Sequence, residues 1–187
     1  AILMDLQGPK IRTGKLHPPH VVMLEPGAPI TVTTEKIIGD VNRISTTYAN
    51  LPHDVKPGDR ILLSDGTLEL CVERVAPPEV HCAVVRGGEL GESKGINLPG
   101  VSIAEPSLTD KDRIDVALSI AENVDFVALS FVRSPDDIRA LRELLRESNS
   151  DMGIVAKIER PEALDHIKEI AALSDAVMVA RGDLGVE

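Results

Sequence analysis

Three mainly apolar runs in the second half of the chain, separated by amphipathic stretches, most narrow what it can fold into. They are Asp125-Phe-Val-Ala-Leu-Ser-Phe-Val132, Gly153-Ile-Val-Ala-Lys-Ile-Glu159 and Asp175-Ala-Val-Met-Val-Ala-Arg181. Strand-length runs alternating with helical patterns indicate βα units and a parallel sheet. The runs are continuous rather than alternating, which suits strands covered on both faces. The intervening stretches carry helix-start signals. Thr109-Asp110-Lys111-Asp112 predicts an N-cap with an acidic first turn, followed by a helix whose Ile114, Ala117, Leu118 and Ala121 share the covering face. Ser134-Pro135-Asp136-Asp137 combines a capping residue, Pro at the first helical position and carboxylates at the positive helix end, with Ile138, Leu141, Leu144 and Leu145 as the apolar stripe. Pro161 and Glu162 open a third helix with Leu164, Ile167 and Ala171 facing inward.

Residues 13–101 follow a different pattern. Pro26-Gly27, Pro57-Gly58-Asp59, Asp65-Gly66 and Gly87-Gly88 punctuate short Val-, Ile-, Leu- and Thr-rich runs, the signature of an all-β module, and no helix is expected there. This module separates a first strand, Ala1 to Asp5, from the helix that should follow it, so it reads as an insertion in a βα loop. The predicted fold is α/β: a partial TIM (β/α)8 barrel formed by residues 1–12 and 102–187, with an inserted all-β, barrel-like domain over 13–101. The chain begins directly on a strand without an initiator Met, and both ends are expected to continue into a longer protein.

Thirty acidic against 20 basic residues give a net charge of −10, which argues against a nucleic-acid surface and against a polybasic membrane anchor. No apolar run approaches the roughly 20 residues that cross a bilayer. Cys71 and Cys82 lie in apolar, strand-like stretches without CxxC or Cys/His spacing, so reduced, buried thiols and a cytoplasmic location are expected.

Polar groups gather at the carboxyl ends of the four apolar strands: Asp5 on the first, Ser130 and Arg133 around the second, Lys157 and Glu159 on the third, Arg181 and Asp183 on the fourth. That end is where parallel barrels assemble their sites. A Lys between Ala156 and Ile158 has to be paired or used. Glu159, two residues on, shares its face and thus its site. Asp183 supplies a second carboxylate after Gly182, whose missing side chain permits close backbone approach to a ligand. Two carboxylates with room for water and substrate oxygens suit Mg²⁺. A purely structural ion pair between Lys157 and the acids is the competing reading.

Ile154-Val-Ala-Lys157-Ile-Glu159-Arg-Pro-Glu-Ala-Leu164 resembles the active-site signature of the pyruvate kinases, and Met178-Val-Ala-Arg-Gly-Asp-Leu-Gly-Val-Glu187 resembles their second metal segment. Asp5-Leu-Gln-Gly-Pro-Lys-Ile-Arg-Thr-Gly14 and Ser93-Lys-Gly-Ile-Asn-Leu-Pro-Gly100 are similar to the segments leading into and out of that family's lid domain. The resemblance implies phosphoryl transfer from phosphoenolpyruvate to ADP, giving pyruvate and ATP in glycolysis. It implies Mg²⁺ (or Mn²⁺) held by Glu159 and Asp183, with Lys157 neutralising charge on the phosphoryl group and the enolate oxygen. It also implies substrate contacts from Ser130, Ala180, Arg181 and Gly182, the last three through a backbone cradle for the substrate carboxylate. Arg12 would contact nucleotide phosphate and serve catalysis, and Asp65 and Lys94 would act as lid residues closing over the nucleotide. Exposed loop charges are the alternative for Asp65 and Lys94. The family implies a homotetramer at full length.

Where many members have Thr-Lys-Gly-Pro-Glu this chain has Leu6-Gln7-Gly8-Pro9-Lys10, similar to the subgroup that needs no K⁺. An ammonium at Lys10 would supply the charge that K⁺ supplies beside Asp5 elsewhere. Thr13 departs from that subgroup, where an aliphatic residue is usual. The family's phosphate-binding Arg and its enolate-protonating Thr fall outside the 187 residues, so the chain alone is expected to be inactive. The rival classes are another Mg²⁺-dependent barrel, such as a carbon–carbon lyase, and a non-catalytic binding relative. The first lacks the β insertion; the second would not need Lys157, Glu159 and Asp183.

Overall fold

The computed structural model describes residues 1–186; Glu187, the last residue of the Gly-Asp segment, lies outside the described residues. The chain forms two compact units, one of residues 1–9 and 105–185 and a second of 10–104 with Val186.

Strand β1 (Leu3–Asp5) belongs to the first unit, and the chain then enters the second. There it runs through β2 (Lys15–Leu16), β3 (Val21–Leu24), β4 (Pro29–Thr33), β5 (Ile38–Gly39) and β6 (Arg43–Ser45). A short helix α1 (Leu51–Asp54) follows, then β7 (Arg60–Leu63), β8 (Leu68–Ala76), β9 (Glu79–Arg86), β10 (Gly88–Gly91) and β11 (Ile96–Asn97). Six strands form one sheet in the order β11-β7-β8-β9-β4-β6, antiparallel except for β4 with β6; β10 pairs with β3, and β2 with β5. Burial alternates along β9, as a strand facing a core on one side requires. Leu24, Ile30, Val32, Ile61, Leu70, Val80 and Leu90 are all at most 2% exposed. Fully burying each such side chain contributes about 1.5–3 kcal/mol. Helix α1 corrects the expectation of a helix-free module: Pro52, early in its single turn, and buried Leu51 place that turn against the core.

Cys71 pairs with Ala83 and Val72 with Cys82, so the two thiols stand on opposite faces of the sheet. Both are free thiols, Cys82 buried and Cys71 half-buried. Burial, with the Cys71 and Glu73 charges adding to it, pushes the Cys82 thiol up to about 12.

The chain returns to the first unit with α2 (Asp110–Ala121), β12 (Phe126–Leu129), α3 (Pro135–Glu147), β13 (Gly153–Ile158), α4 (Glu162–Asp165), α5 (Ile167–Leu173), β14 (Ala176–Val179) and α6 (Arg181–Leu184). The sheet is parallel, ordered β1-β12-β13-β14. Thr109 and Asp112 close a capping box at α2, and the Asp137 carboxylate takes the Ser134 N–H at 3.0 Å at α3. Helix α3 buries Ile138, Leu141 and Leu145 and packs Leu144 against the same core, as its stripe predicts.

Three expectations fail in this unit. On α2, Ile114 is 70% and Leu118 53% exposed; the covered face is Asp112, Val116 and Ser119. The helix after Pro161 is broken at His166 into α4 and α5, and its inward residues are Ala163, Ile167, Ile170 and Leu173, while Leu164 is exposed and so is Ala171. Strand β14 ends at Val179, not Arg181, and all four of its residues are exposed because it is an edge of the sheet with only β13 beside it. Among the described residues no helix is long and apolar enough to cross a membrane.

Candidate functional site

Parallel pairing in register brings three strand ends level, since Asp5 pairs with Ala128 and Ala128 with Val155. Lys157 is at the end of β13, and its Nζ donates to Asp5 Oδ1 at 3.0 Å and to Ser130 Oγ at 2.9 Å. The same Nζ lies 3.0 Å from Glu159 Oε1. The Lys157 side chain is 13% exposed, that of Glu159 2% and that of Asp5 58%, so the cluster grades from a buried acid to a solvated one. Desolvation pulls the Lys157 pKa down, but hydrogen bonds and charge from Asp5 and Glu159 outweigh it and leave it raised. The ammonium is therefore a permanent positive charge at neutral pH, held on three oxygens.

The shell around this cluster is tightly bonded. Glu159 Oε2 accepts the Phe131 N–H at 2.8 Å. Ser130 Oγ donates to Leu6 O at 2.7 Å, tying β12 to the segment after β1. Phe131 has φ +55°, an unusual conformation for a bulky residue, and it aims its N–H at the buried carboxylate. Ser107 Oγ holds the Phe131 carbonyl at 2.8 Å. Gly8 (φ +63°) abuts the same ring; a Cβ there would stand 2.8 Å from Phe131 Cδ2.

Asp112, fully buried, accepts the Gly8 N–H on Oδ1 at 3.2 Å and the Thr109 N–H on Oδ2 at 2.9 Å. Its sequence context marks it only as part of a helix start. Its second task, anchoring the Gly8 turn, has no local signal because the partners are 104 positions apart. Arg133, beside the same strand end, donates to Glu105 O at 2.7 Å.

The Ala180-Arg181-Gly182-Asp183 segment adjoins the cluster through β14, and Ala180 N donates to Ile158 O at 3.1 Å. Arg181, Gly182 and Asp183 lie in the single turn of α6 rather than on the strand, with Arg181 and Gly182 exposed and Asp183 half-buried. Nothing lies within 4 Å of where a Gly182 Cβ would be, so the backbone there faces open space. Among the described residues no group of three or more His, Cys, Asp or Glu side chains is placed to hold a metal, and both Glu159 oxygens are engaged, Oε1 by Lys157 and Oε2 by the Phe131 N–H.

Arg12, Asp65, Lys94 and Lys10 belong to the other unit. Arg12 Nη1 donates to Ser93 O at 2.7 Å, its backbone bridges Gly95, and Thr13 N donates to Lys94 O at 2.8 Å. Ser64 N donates to Gly95 O at 3.1 Å, which brings the Ser64-Asp65-Gly66 turn to the same place, with Asp65 in the left-handed region at φ +55°. Arg12 is half-buried, while Asp65, Lys94 and Lys10 are exposed. Arg12, Asp65 and Lys94 therefore gather in one region of this unit.

A parallel βα half-barrel with a buried Lys-carboxylate cluster at the carboxyl ends of its strands, interrupted after the first strand by a β domain, defines a barrel protein that carries its chemistry at the strand ends. The family description "pyruvate kinase, barrel domain" matches residues 1–187. The chain is 45% identical to a pyruvate kinase of Staphylococcus aureus (strain MRSA252) and 47% identical to one of Staphylococcus saprophyticus, in each case over 100% of this chain and 32% of the relative. A crystal structure of a pyruvate kinase from Cryptosporidium parvum superposes with a TM-score of 0.90 at 36% identity, over 99% of this chain and 39% of the other. The chain belongs to the pyruvate kinase family. It spans about a third of the length of these curated relatives.

Proposed function

We propose that the protein containing this chain transfers the phosphoryl group of phosphoenolpyruvate to ADP, and that these residues supply the phosphoryl-neutralising part of the site and a nucleotide-binding β domain. The observation that carries the reading is the Lys157 ammonium, held at 2.9–3.0 Å from Ser130, Asp5 and Glu159 at the strand ends of a chain 45–47% identical to pyruvate kinases. Phosphoryl transfer consists mainly of positioning and charge stabilisation, and a fixed, preorganised cation is what it requires. In this proposal Lys157 is catalytic, neutralising charge that builds on the phosphoryl oxygens and then on the enolate. Ser130 orients Lys157 and meets substrate. The open backbone at Ala180, Arg181 and Gly182 receives the substrate carboxylate. Arg12 contacts nucleotide phosphate, assisted by Lys94 and Asp65. Glu159 and Asp183 would hold Mg²⁺ or Mn²⁺, which supplies charge neutralisation and orients phosphate oxygens. The assignment extends to a cytoplasmic glycolytic enzyme that assembles as a homotetramer.

Asp5 accepts from Lys157 Nζ at 3.0 and 3.3 Å, so its negative charge already has a cationic partner. With Lys10 adding a further cation, the full-length enzyme is expected to work without K⁺. An ADP-dependent pyruvate-release assay tests both statements. Turnover should require Mg²⁺ and persist when K⁺ is replaced by tetramethylammonium. Loss of most activity on that replacement would refute the Lys10 assignment, and no pyruvate release under any condition would refute the function.

The isolated 187-residue chain is expected to be inactive, because it spans a third of its relatives and its sheet has four strands with open edges at β1 and β14. Measurable turnover by the purified chain would contradict this.

A further inference from the structure

The unit of residues 10–104 contains a cavity of about 730 Å³, bounded by the β2–β5 ribbon, the end of β4 and the segment leaving β6. That volume falls within the ~300–1,000 Å³ of small-molecule sites. Two exposed lysines, Lys15 and Lys36, line it, and among the described residues no Asp or Glu does. In a chain of net charge −10 this local excess of cations stands out. Glu35, next to Lys36 in the chain, and Glu92, bonded to the residue after Lys15, both have other partners. Glu35 pairs with Arg43 at 2.6 Å, and Glu92 Oε1 accepts Leu16 N at 2.8 Å and meets His20 Nδ1 at 3.1 Å. Among the described residues neither Lys15 nor Lys36 forms a contact ion pair, and the Lys15 charge reaches Glu92 from farther off, adding a small part to what holds that carboxyl low.

The rest of the lining has two characters. Thr47 Oγ1 accepts the Arg12 N–H at 2.9 Å and Thr46 Oγ1 accepts the Tyr48 N–H at 3.2 Å, so each hydroxyl keeps its own proton to give to an incoming acceptor. Ile38 also lines the cavity, a large apolar side chain left 56% exposed. Gly14 keeps this wall thin. A Cβ there would stand 2.0 Å from Ser45 Oγ, so that side chain could not occupy its present place.

Two exposed lysines, hydroxyl-bearing threonines and an apolar side chain lining one cavity match an anion with a hydrophobic body. We propose that this cavity binds a small phosphomonoester, its phosphate between Lys15 and Lys36 with the Thr46 and Thr47 hydroxyls, and its apolar portion against Ile38. Lys recognises phosphate as a point charge, and a dianion gains from two such charges at one site. Arg12, Asp65 and Lys94 do not line the cavity, although Arg12 is one hydrogen bond from Thr47 and Ser93 N donates to Gly14 O at 3.2 Å.

Phenyl phosphate is a suitable probe, since it joins a dianion to an apolar ring. Titrated into the ¹⁵N-labelled chain, it should give saturable shifts at the Lys15, Lys36, Ile38 and Thr47 amides. The Lys15→Gln/Lys36→Gln double variant, altered only at exposed positions, should bind at least about tenfold more weakly. Ile38→Ser should weaken phenyl phosphate severalfold while leaving inorganic phosphate unchanged. The proposal is overturned if the shifts are confined to Arg12 and Lys94, if they do not saturate, or if the double variant binds as the parent does. Equal weakening of both probes by Ile38→Ser would overturn the apolar contact.

Discussion

Lys157→Met in the full-length protein is expected to lower kcat for pyruvate formation by about 10²–10³-fold, the loss associated with removing one preorganised electrostatic stabiliser. The Lys157 ammonium is fixed by three oxygens at 2.9–3.0 Å before substrate arrives, so none of its stabilising effect is spent on reorganisation. In the proposed role the charge it meets develops during transfer, so kcat should fall more than KM for phosphoenolpyruvate rises. The substitution also leaves Glu159, 2% exposed, with the Phe131 N–H but without its ammonium, and removing one member of a buried pair is destabilising. Steady-state kinetics should therefore be run beside a denaturant titration, with Lys157→Arg as the companion variant. A purely structural lysine predicts that activity per folded molecule is retained. If Lys157→Met keeps kcat within about threefold of the parent while folded, the catalytic assignment is wrong.

Asp112→Ala should destabilise the barrel unit by about 3 kcal/mol, more than any exposed substitution on α2. The fully buried carboxylate accepts Gly8 N on one oxygen, and Thr109 N and Oγ1 on the other, so the substitution strips several donors at once. Each donor left buried and unpaired costs about 1–3 kcal/mol. Thr109→Ala removes the cap hydroxyl alone and should cost only about 1 kcal/mol. Urea unfolding of both variants separates the two contributions. Near-equal losses would show that Asp112 acts only as a cap and that its bond to Gly8 contributes nothing.

The features readable from sequence are those with a short-range cause. Lys157 and Glu159 share a face because a strand alternates with period two, and the structure places them 3.0 Å apart. The cap at Thr109 and the Ser134-Pro135 start depend on residues three or four apart, and both helices begin there. The reading fails where a long-range partner decides. On α2 the apolar residues suggest that Ile114 and Leu118 cover the sheet. The covered face instead contains Asp112, satisfied by Gly8 and Thr109, and Ser119, whose hydroxyl donates to Asp115 O. Polar groups with guaranteed partners can be buried, and hydropathy does not record the partner. Likewise β14 has the composition of a doubly covered strand but is an edge with all four residues exposed. The convergence of Asp5 and Ser130 on one ammonium follows from strand order, and the spacing between them in the chain has no trace of it.

The pairing of β1 with β12, Leu3 against Phe126, has a consequence for how the chain is made. A ribosome adding roughly 5–20 residues per second delivers β12 several seconds after β1. Every strand of the inserted β unit emerges in that interval, and its partners all lie within residues 10–104. Domains formed from their own contacts fold as units, so the insertion can be complete while Leu3–Asp5 is still an unpaired strand. On this account, the β domain shortens the search by which the barrel finds its first strand, and a nascent-chain complex halted far enough past residue 104 for the whole insertion to have left the ribosome should already protect it from protease.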